Sequence, residues 1–142
     1  MVGLTLKEWG PGAWNTLHAF AHSAPEALTS NDADRFAQFL RLFAAHLPCP
    51  TCRRHFSAFL ERRMTASTLS TRAGIVALLN DAHNEVNART GKRIFSIEEH
   101  YRMYSLRSDV GRQRTMETVI VVVIGIVLWR LVNRFKGKKV AP

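Results

Sequence analysis

Cys49 and Cys52 are the only cysteines in a chain of 142 residues, and just Pro50 and Thr51 lie between them. A disulfide over so short a separation closes almost no loop, so it constrains the unfolded chain little and adds little stability. If the two sulfurs pair, the pairing serves chemistry. A helix beginning at this motif would set unpaired N–H groups and its positive dipole end against the sulfurs, favouring the thiolate, which is the species that attacks disulfides. Arg53 and Arg54 add positive charge beside them. The motif alone leaves other readings open. A thioredoxin-type site wants strands around the cysteines. A structural zinc site needs four ligands, and with no second cysteine pair the rest would have to come from His46, His55 and His83. No metal is expected.

Two further groups have polar residues at helical spacing. His83 and Asn87 are one turn apart, with Asn84 alongside, and form a polar edge on an otherwise apolar segment. Trp14 and His18 repeat the spacing near the N-terminus. Taken singly, the His83 group is as well explained by satisfied core polarity as by ligand binding, and for Trp14 and His18 a core tryptophan with a satisfied histidine is the favoured reading.

The elements that must position these residues are read from apolar periodicity and terminal signals. Pro11 opens a helix over Gly12 to Ser23, which Pro25 closes. Asn31 and Asp32 cap a second, whose Phe36, Phe39, Leu40, Phe43 and Leu47 make one apolar stripe before Pro48 ends it. A third helix starts within Cys49-Pro50-Thr51-Cys52 and continues through Phe56, Phe59 and Leu60 to Arg63. Ser70 or Thr71 caps a fourth, containing Ile75, Val76, Leu78, Leu79, Ala82 and Val86, with Gly91 as its stop. Ser96 and Glu99 form a capping box for a short fifth helix through Tyr104. No run of alternating strands is present. The expectation is an all-α, up-down four-helix bundle with a short fifth helix.

The C-terminal block differs in kind. Thr118 to Trp129 is uncharged and almost wholly apolar, and with limits at Thr115 and Val132 it reaches about 18 residues, near the minimum for crossing a bilayer. Glu117 and Arg130 can snorkel toward headgroups. The expected organisation is a domain over residues 1–110, a transmembrane or membrane-anchoring helix over 115–132 and a basic tail over 133–142. The tail argues for a cytosolic C-terminus, whereas the lack of a basic, then apolar, leader at Met1 to Leu6 argues for tail anchoring with the main domain in the cytosol. These two arguments conflict.

The bulk numbers fit this picture. With 46% hydrophobic and 22% charged residues the chain is neither disordered nor polytopic. The net charge of +9 is uneven. Arg130, Arg134, Lys136, Lys138 and Lys139 carry five of the charges, leaving 15 basic against 11 acidic residues before them. Without alternating aromatic and basic residues to line a strand-binding groove, nucleic acid is not an expected partner.

In combination, these residues resemble the Erv/ALR flavin-linked sulfhydryl oxidases. The resemblance rests on Trp9-Gly10 with Trp14 and Leu17-His18, on Pro48-Cys49-Pro50-Thr51-Cys52, and on His83-Asn84-Glu85-Val86-Asn87 followed by Gly91-Lys92, in the family's order and at similar spacing. It covers about Leu6 to Tyr104, and the likeness is greatest to compact members from large DNA viruses. It implies FAD held at one end of the bundle by Gly10, Trp14, His18, Cys52, His83, Asn84, Val86, Asn87, Lys92 and Tyr104, with Tyr101 or Tyr104 in place of a tryptophan. Cys52 would lie beside the flavin and Cys49 would exchange with protein dithiols. Electrons would pass from the cysteine pair to FAD and on to O2, releasing H2O2. A homodimer, built on the exposed apolar residues of the first two helices, is also implied, as is a location at a virion or host membrane.

The chain departs from the family pattern in three places. It has no second cysteine pair to shuttle electrons, so substrates reach Cys49 directly or a thioredoxin-like or other cysteine-bearing protein supplies the shuttle. Asn80 and Ile97 fall where a structural disulfide is usual. Leu47 replaces the aromatic residue before Pro-Cys. A membrane-anchored helical adaptor without cofactor is the rival reading.

Overall fold

The computed structural model describes residues 5–136, with side chains over 5–104, 119–130 and 133. It falls into two compact units divided between His100 and Tyr101. The described secondary structure is helical: α1 (Leu6–Ser23), α2 (Ser30–Ala45), α3 (Pro50–Arg63), the single turn α4 (Ala66–Leu69), α5 (Arg72–Arg89) and α6 (Ile97–Lys136). Ala27 and Thr71 form an isolated bridge between the loops preceding α2 and α5.

Local chemistry sets most of the boundaries. Pro50 takes the first turn of α3, where its missing N–H is no loss, and Cys49 is the N-cap, its sulfur accepting from the Cys52 N–H at 3.2 Å. Thr71 caps α5 through the Gly74 N–H at 3.1 Å. Beyond α5, Gly91 has φ of +66°, a left-handed conformation in which a side chain would be strained. Ser96 and Glu99 bond reciprocally at the start of α6, at 2.9 and 3.2 Å.

Three boundaries differ from expectation. The helix α1 begins at Leu6, six residues earlier than Gly12. The Glu8 carboxylate accepts from the Thr5 N–H at 2.6 Å and from the Thr5 hydroxyl at 2.8 Å, so the start lies at a capping pair and Pro11 sits inside the helix. Thr29, not Asn31 or Asp32, caps α2, its hydroxyl accepting from the Asp32 N–H at 3.2 Å. The fifth long helix does not stop at Tyr104; helical backbone continues to Lys136. Between Tyr104 and Thr118 the sequence has no proline and only Gly111 as a glycine, and one interior glycine costs about 1 kcal/mol, too little to end a helix.

In the first unit α1 packs on α5, α2 on α3, α3 on α5, and α4 against α2 and α5. Leu17, Leu40, Leu60, Ile75, Val76 and Leu79 are its largest fully buried apolar side chains. Gly74 permits the closest approach: a Cβ there would lie 2.4 Å from the Thr68 carbonyl oxygen. In the second unit, the large apolar side chains from Val119 to Trp129 are exposed. Among the described residues no helix is long and apolar enough to cross a membrane. The span expected over 115–132 is only partly described, since side chains 115–118 and 131–132 lie outside the described residues, as does 137–142 of the tail.

Candidate active site

The α3 N-terminus brings the two sulfurs together, and Cys49 and Cys52 are disulfide-bonded with their Cα atoms 5.1 Å apart. Two arginines are tied to the same turn. Arg53 Nε donates to the Leu47 carbonyl at 2.6 Å, and Arg54 Nη2 donates to the Thr51 hydroxyl at 3.1 Å. Pro48, Pro50 and Thr51 are exposed, whereas Cys49 and Cys52 are half-buried.

Cys52 lies on the wall of a cleft of about 280 Å³ between α1, α3 and α5. Trp9, Trp14, Leu17, Phe56, Phe59 and Val86 supply most of its apolar surface, and His55, Glu85 and Arg89 add polar groups. Cys49 is not among the lining residues. Glu85 is held on its own side of the cleft by ion pairs to Arg62 at 3.0 Å and Arg89 at 2.8 Å. Burial raises its pKa, but the arginine hydrogen bonds and charges outweigh this and lower it overall.

Next to the cleft is a run of stacked rings. Trp14 lies on His83 with centroids 4.2 Å apart and planes 8° apart. His83 Nδ1 and His18 Nε2 share a hydrogen bond of 3.1 Å, and His22 Nε2 and His100 Nε2 share one of 3.3 Å. His18 meets His100 edge-on at 4.4 Å, joining the pairs into one cluster. Burial, followed by the neighbouring imidazoles of His100, His83 and His22, lowers the His18 pKa to about 3. Burial and then the Lys92 charge bring His83 to about 4. Burial, then His22 and His83, bring His100 to about 4. His22 is lowered by burial and by Arg72. All four rings therefore favour the neutral state near pH 7.

A helical unit with a cysteine pair at the start of α3, an aromatic cleft against one sulfur, and a Trp-His stack from α1 and α5 can be compared with known proteins. The pattern of the Erv1 / Alr family matches residues 11–105. The chain belongs to this family.

Among its Erv1/Alr relatives is a probable FAD-linked sulfhydryl oxidase of Acanthamoeba polyphaga mimivirus, 33% identical over 94 residues, which are 66% of each protein. The FAD-linked sulfhydryl oxidase of African swine fever virus is 30% identical over 96 residues, covering 68% of this chain and 79% of the viral one. The crystal structure of the FAD-binding domain of Erv1 from Saccharomyces cerevisiae superposes with a TM-score of 0.63 at 25% identity, covering 67% of this chain and 89% of the yeast domain.

The expected site residues of this Erv1/Alr chain occupy different places. Trp14, Cys52 and Val86 line the cleft, and His18 and His83 adjoin it through the Trp14 stack. Gly10 is buried in α1, and a Cβ there would only touch the Leu6 side chain at 3.4 Å. The Asn84 amide is turned to the chain: its Nδ2 donates to the Phe95 carbonyl at 2.7 Å and its Oδ1 accepts from the Phe95 N–H at 3.0 Å. The buried Asn87 accepts from the Lys92 N–H at 2.8 Å through its backbone carbonyl, while Lys92 itself is exposed. Tyr101 and Tyr104 belong to the second unit.

His22 and His100 were not singled out from the sequence. His22 stands one turn beyond His18, a signal that could have found it. His100 has no such local mark, because it meets His18 and His22 only when α6 begins beside α1. Asn80 also donates to the Phe95 carbonyl, at 3.4 Å, so a polar bond lies near the place expected to lack a structural disulfide.

Proposed function

We propose that this chain is an FAD-dependent thiol oxidase that forms disulfides in protein substrates. The observation that carries the reading is the unequal setting of the two sulfurs. Cys52 lies on the wall of the aromatic cleft, while its disulfide partner Cys49 lies off that wall, next to exposed Pro48, Pro50 and Thr51.

The cleft suits a flat, largely apolar ring system. Its lining is mostly carbon, with indole and phenyl faces, and its volume is close to the lower end of ligand pockets at roughly 300 Å³. Trp14, Cys52 and Val86 would hold the isoalloxazine, with His18 and His83 adjoining, and Lys92 would meet the negative pyrophosphate. When bound, FAD supplies a two-electron acceptor that restores the Cys49–Cys52 disulfide and returns the electrons to O2 as H2O2.

The chain's own part is disulfide exchange. A substrate thiolate attacks Cys49 Sγ, the Cys49–Cys52 bond breaks, and Cys52 leaves as a thiolate next to the cleft. The substrate's second thiolate then attacks its own sulfur in the mixed disulfide, and Cys49 leaves as a thiolate. Two electrons and two protons have left the substrate, which now holds a disulfide. The Cys52 N–H, already 3.2 Å from Cys49 Sγ, stabilises the charge on Cys49 as it departs.

Purified protein is expected to be yellow and to consume oxygen when given a neutral dithiol such as dithiothreitol. Cys49→Ala keeps the flavin and loses turnover, and Cys52→Ser leaves Cys49 caught in mixed disulfides that identify the substrates. Folded, colourless protein that consumes no oxygen would sink the oxidase reading in favour of a cofactor-free adaptor.

Two coarser features extend the proposal. A homodimer through α1 and α2 is supported by exposed Phe20 and Leu42, with Phe20 in edge contact with Phe39 at 5.2 Å. Anchoring at a membrane through the C-terminal segment is supported by the exposed apolar run from Val119 to Trp129. No second cysteine pair is present to act as a shuttle. Substrates therefore engage Cys49 directly, or receive help from a separate thioredoxin-like or cysteine-bearing protein.

A further inference from the structure

From Arg35 to Leu60 the chain carries four arginines and two histidines and no aspartate or glutamate. These 26 residues form most of α2, the Cys49-to-Cys52 turn and the first three turns of α3, and Arg35, Arg41, His46, Arg53, Arg54 and His55 are all exposed. Carboxylates on the facing helix are already engaged elsewhere: Asp81 pairs with Arg63, and Glu85 with Arg62 and Arg89. Arg53 and Arg54 differ from these arginines. Each is tethered by a hydrogen bond to the redox turn itself, through Leu47 and Thr51, and neither is in any of the described ion pairs. A tethered guanidinium is pre-organised, so it loses little side-chain freedom when it meets an anion.

Resting on the oxidase reading, we propose that Arg53 and Arg54, a basic collar on the redox turn, select the substrate: the disulfide at Cys49 accepts dithiols flanked by aspartate or glutamate in preference to neutral or basic ones. The step selected is the attack of the substrate thiolate on Cys49 Sγ, with release of the Cys52 thiolate. Opposed charge around that point raises encounter and orients the incoming peptide. At physiological salt the screening length is about 8 Å, so only carboxylates within a few residues of the attacking cysteine are read.

The test uses the flavin-loaded full chain and three short peptides with the same cysteine spacing, flanked by Asp, Asn or Lys. A neighbouring carboxylate raises a thiol's pKa and slows it intrinsically, so each rate is divided by that peptide's rate with a small neutral disulfide. The corrected kcat/KM is expected to favour Asp over Lys by about tenfold at low salt and to level out near 0.5 M salt. Arg53→Glu/Arg54→Glu is expected to remove or reverse that ratio. Should the double variant not fold, Arg54→Glu alone is expected to lower it. Dithiothreitol separates the two readings. If it is oxidised while the three peptides stay equal, the collar proposal is overturned and the oxidase stands; if it is not oxidised, the oxidase reading fails. A DNA duplex that binds the collar while the peptide ratio stays at one also overturns the proposal, assigning the surface to nucleic acid.

Discussion

The four histidines give the site a definite acid sensitivity. In the unfolded chain each imidazole titrates near its ordinary value of 6.5, whereas in the fold His18 is held at about 3 and His83 and His100 at about 4. The unfolded state therefore binds more protons between these limits, and stability rises with pH across that window. The contribution is fully present above about pH 6.5 and is lost as pH falls toward 4. The hydrogen bonds point the same way, because a shared proton between two ring nitrogens at 3.1 Å becomes two opposed donors when both rings are charged. Urea unfolding at pH 7.5, 6.0 and 5.0 should show progressively lower midpoints, with a shallower decline in His100→Gln. Midpoints independent of pH over that range would show that the cluster is not held neutral by the fold.

At the scale of elements, the helix ends decide where the chemistry sits. Cys49 is placed by the start of α3, and the loop after α5 is held by the two bonds from Asn84 to Phe95. The entry to α5 depends on Gly74, one turn into which the Thr68 carbonyl closes to 2.4 Å from any added Cβ, with the capping Thr71 hydroxyl at 3.2 Å. Alanine has the higher helix propensity, by about 1 kcal/mol. Backbone cannot yield as a flexible side chain does, however, and overpacking of this kind costs roughly 1–3 kcal/mol. Gly74→Ala is thus expected to lower the melting temperature despite its better intrinsic propensity, as differential scanning calorimetry would measure. A raised melting temperature would mean that α4 can move away freely.

For the molecule as a whole, the aromatic face of α1 and α2, half-buried at Phe36, Phe39 and Phe43 and exposed at Phe20, is the outstanding surface of the first unit. Phe36, Phe39 and Phe43 contact one another in a row, and Phe20 joins at Phe39. The proposed dimer would cover it, and placing a charge there would leave that charge desolvated in the interface. Phe20→Lys is therefore expected to shift the protein from dimer to monomer in sedimentation velocity at micromolar concentration. An unchanged dimer would move the interface elsewhere, and a monomeric parent would remove the dimer from the proposal.

What was legible in the sequence was local. The start of α3 at Pro50, the Thr71 cap, the stop at Gly91 and the Ser96-Glu99 box each depend on residues within one turn, so the chain itself carries the signal. The capping pair of Thr5 and Glu8 is equally local, and it rather than Pro11 sets the start of α1. The motif Cys49-Pro50-Thr51-Cys52, with the Trp-His and His-Asn groups, was enough to point to the family. The place of Cys52 beside a flavin came from the family resemblance, whereas tertiary structure alone determined that His100 completes the ring cluster and that Asn84 binds the Phe95 backbone. These depend on groups 11 to 78 residues apart that meet only when α1, α5 and the start of α6 pack, and spacing along one helix contains no information about the neighbour it will face.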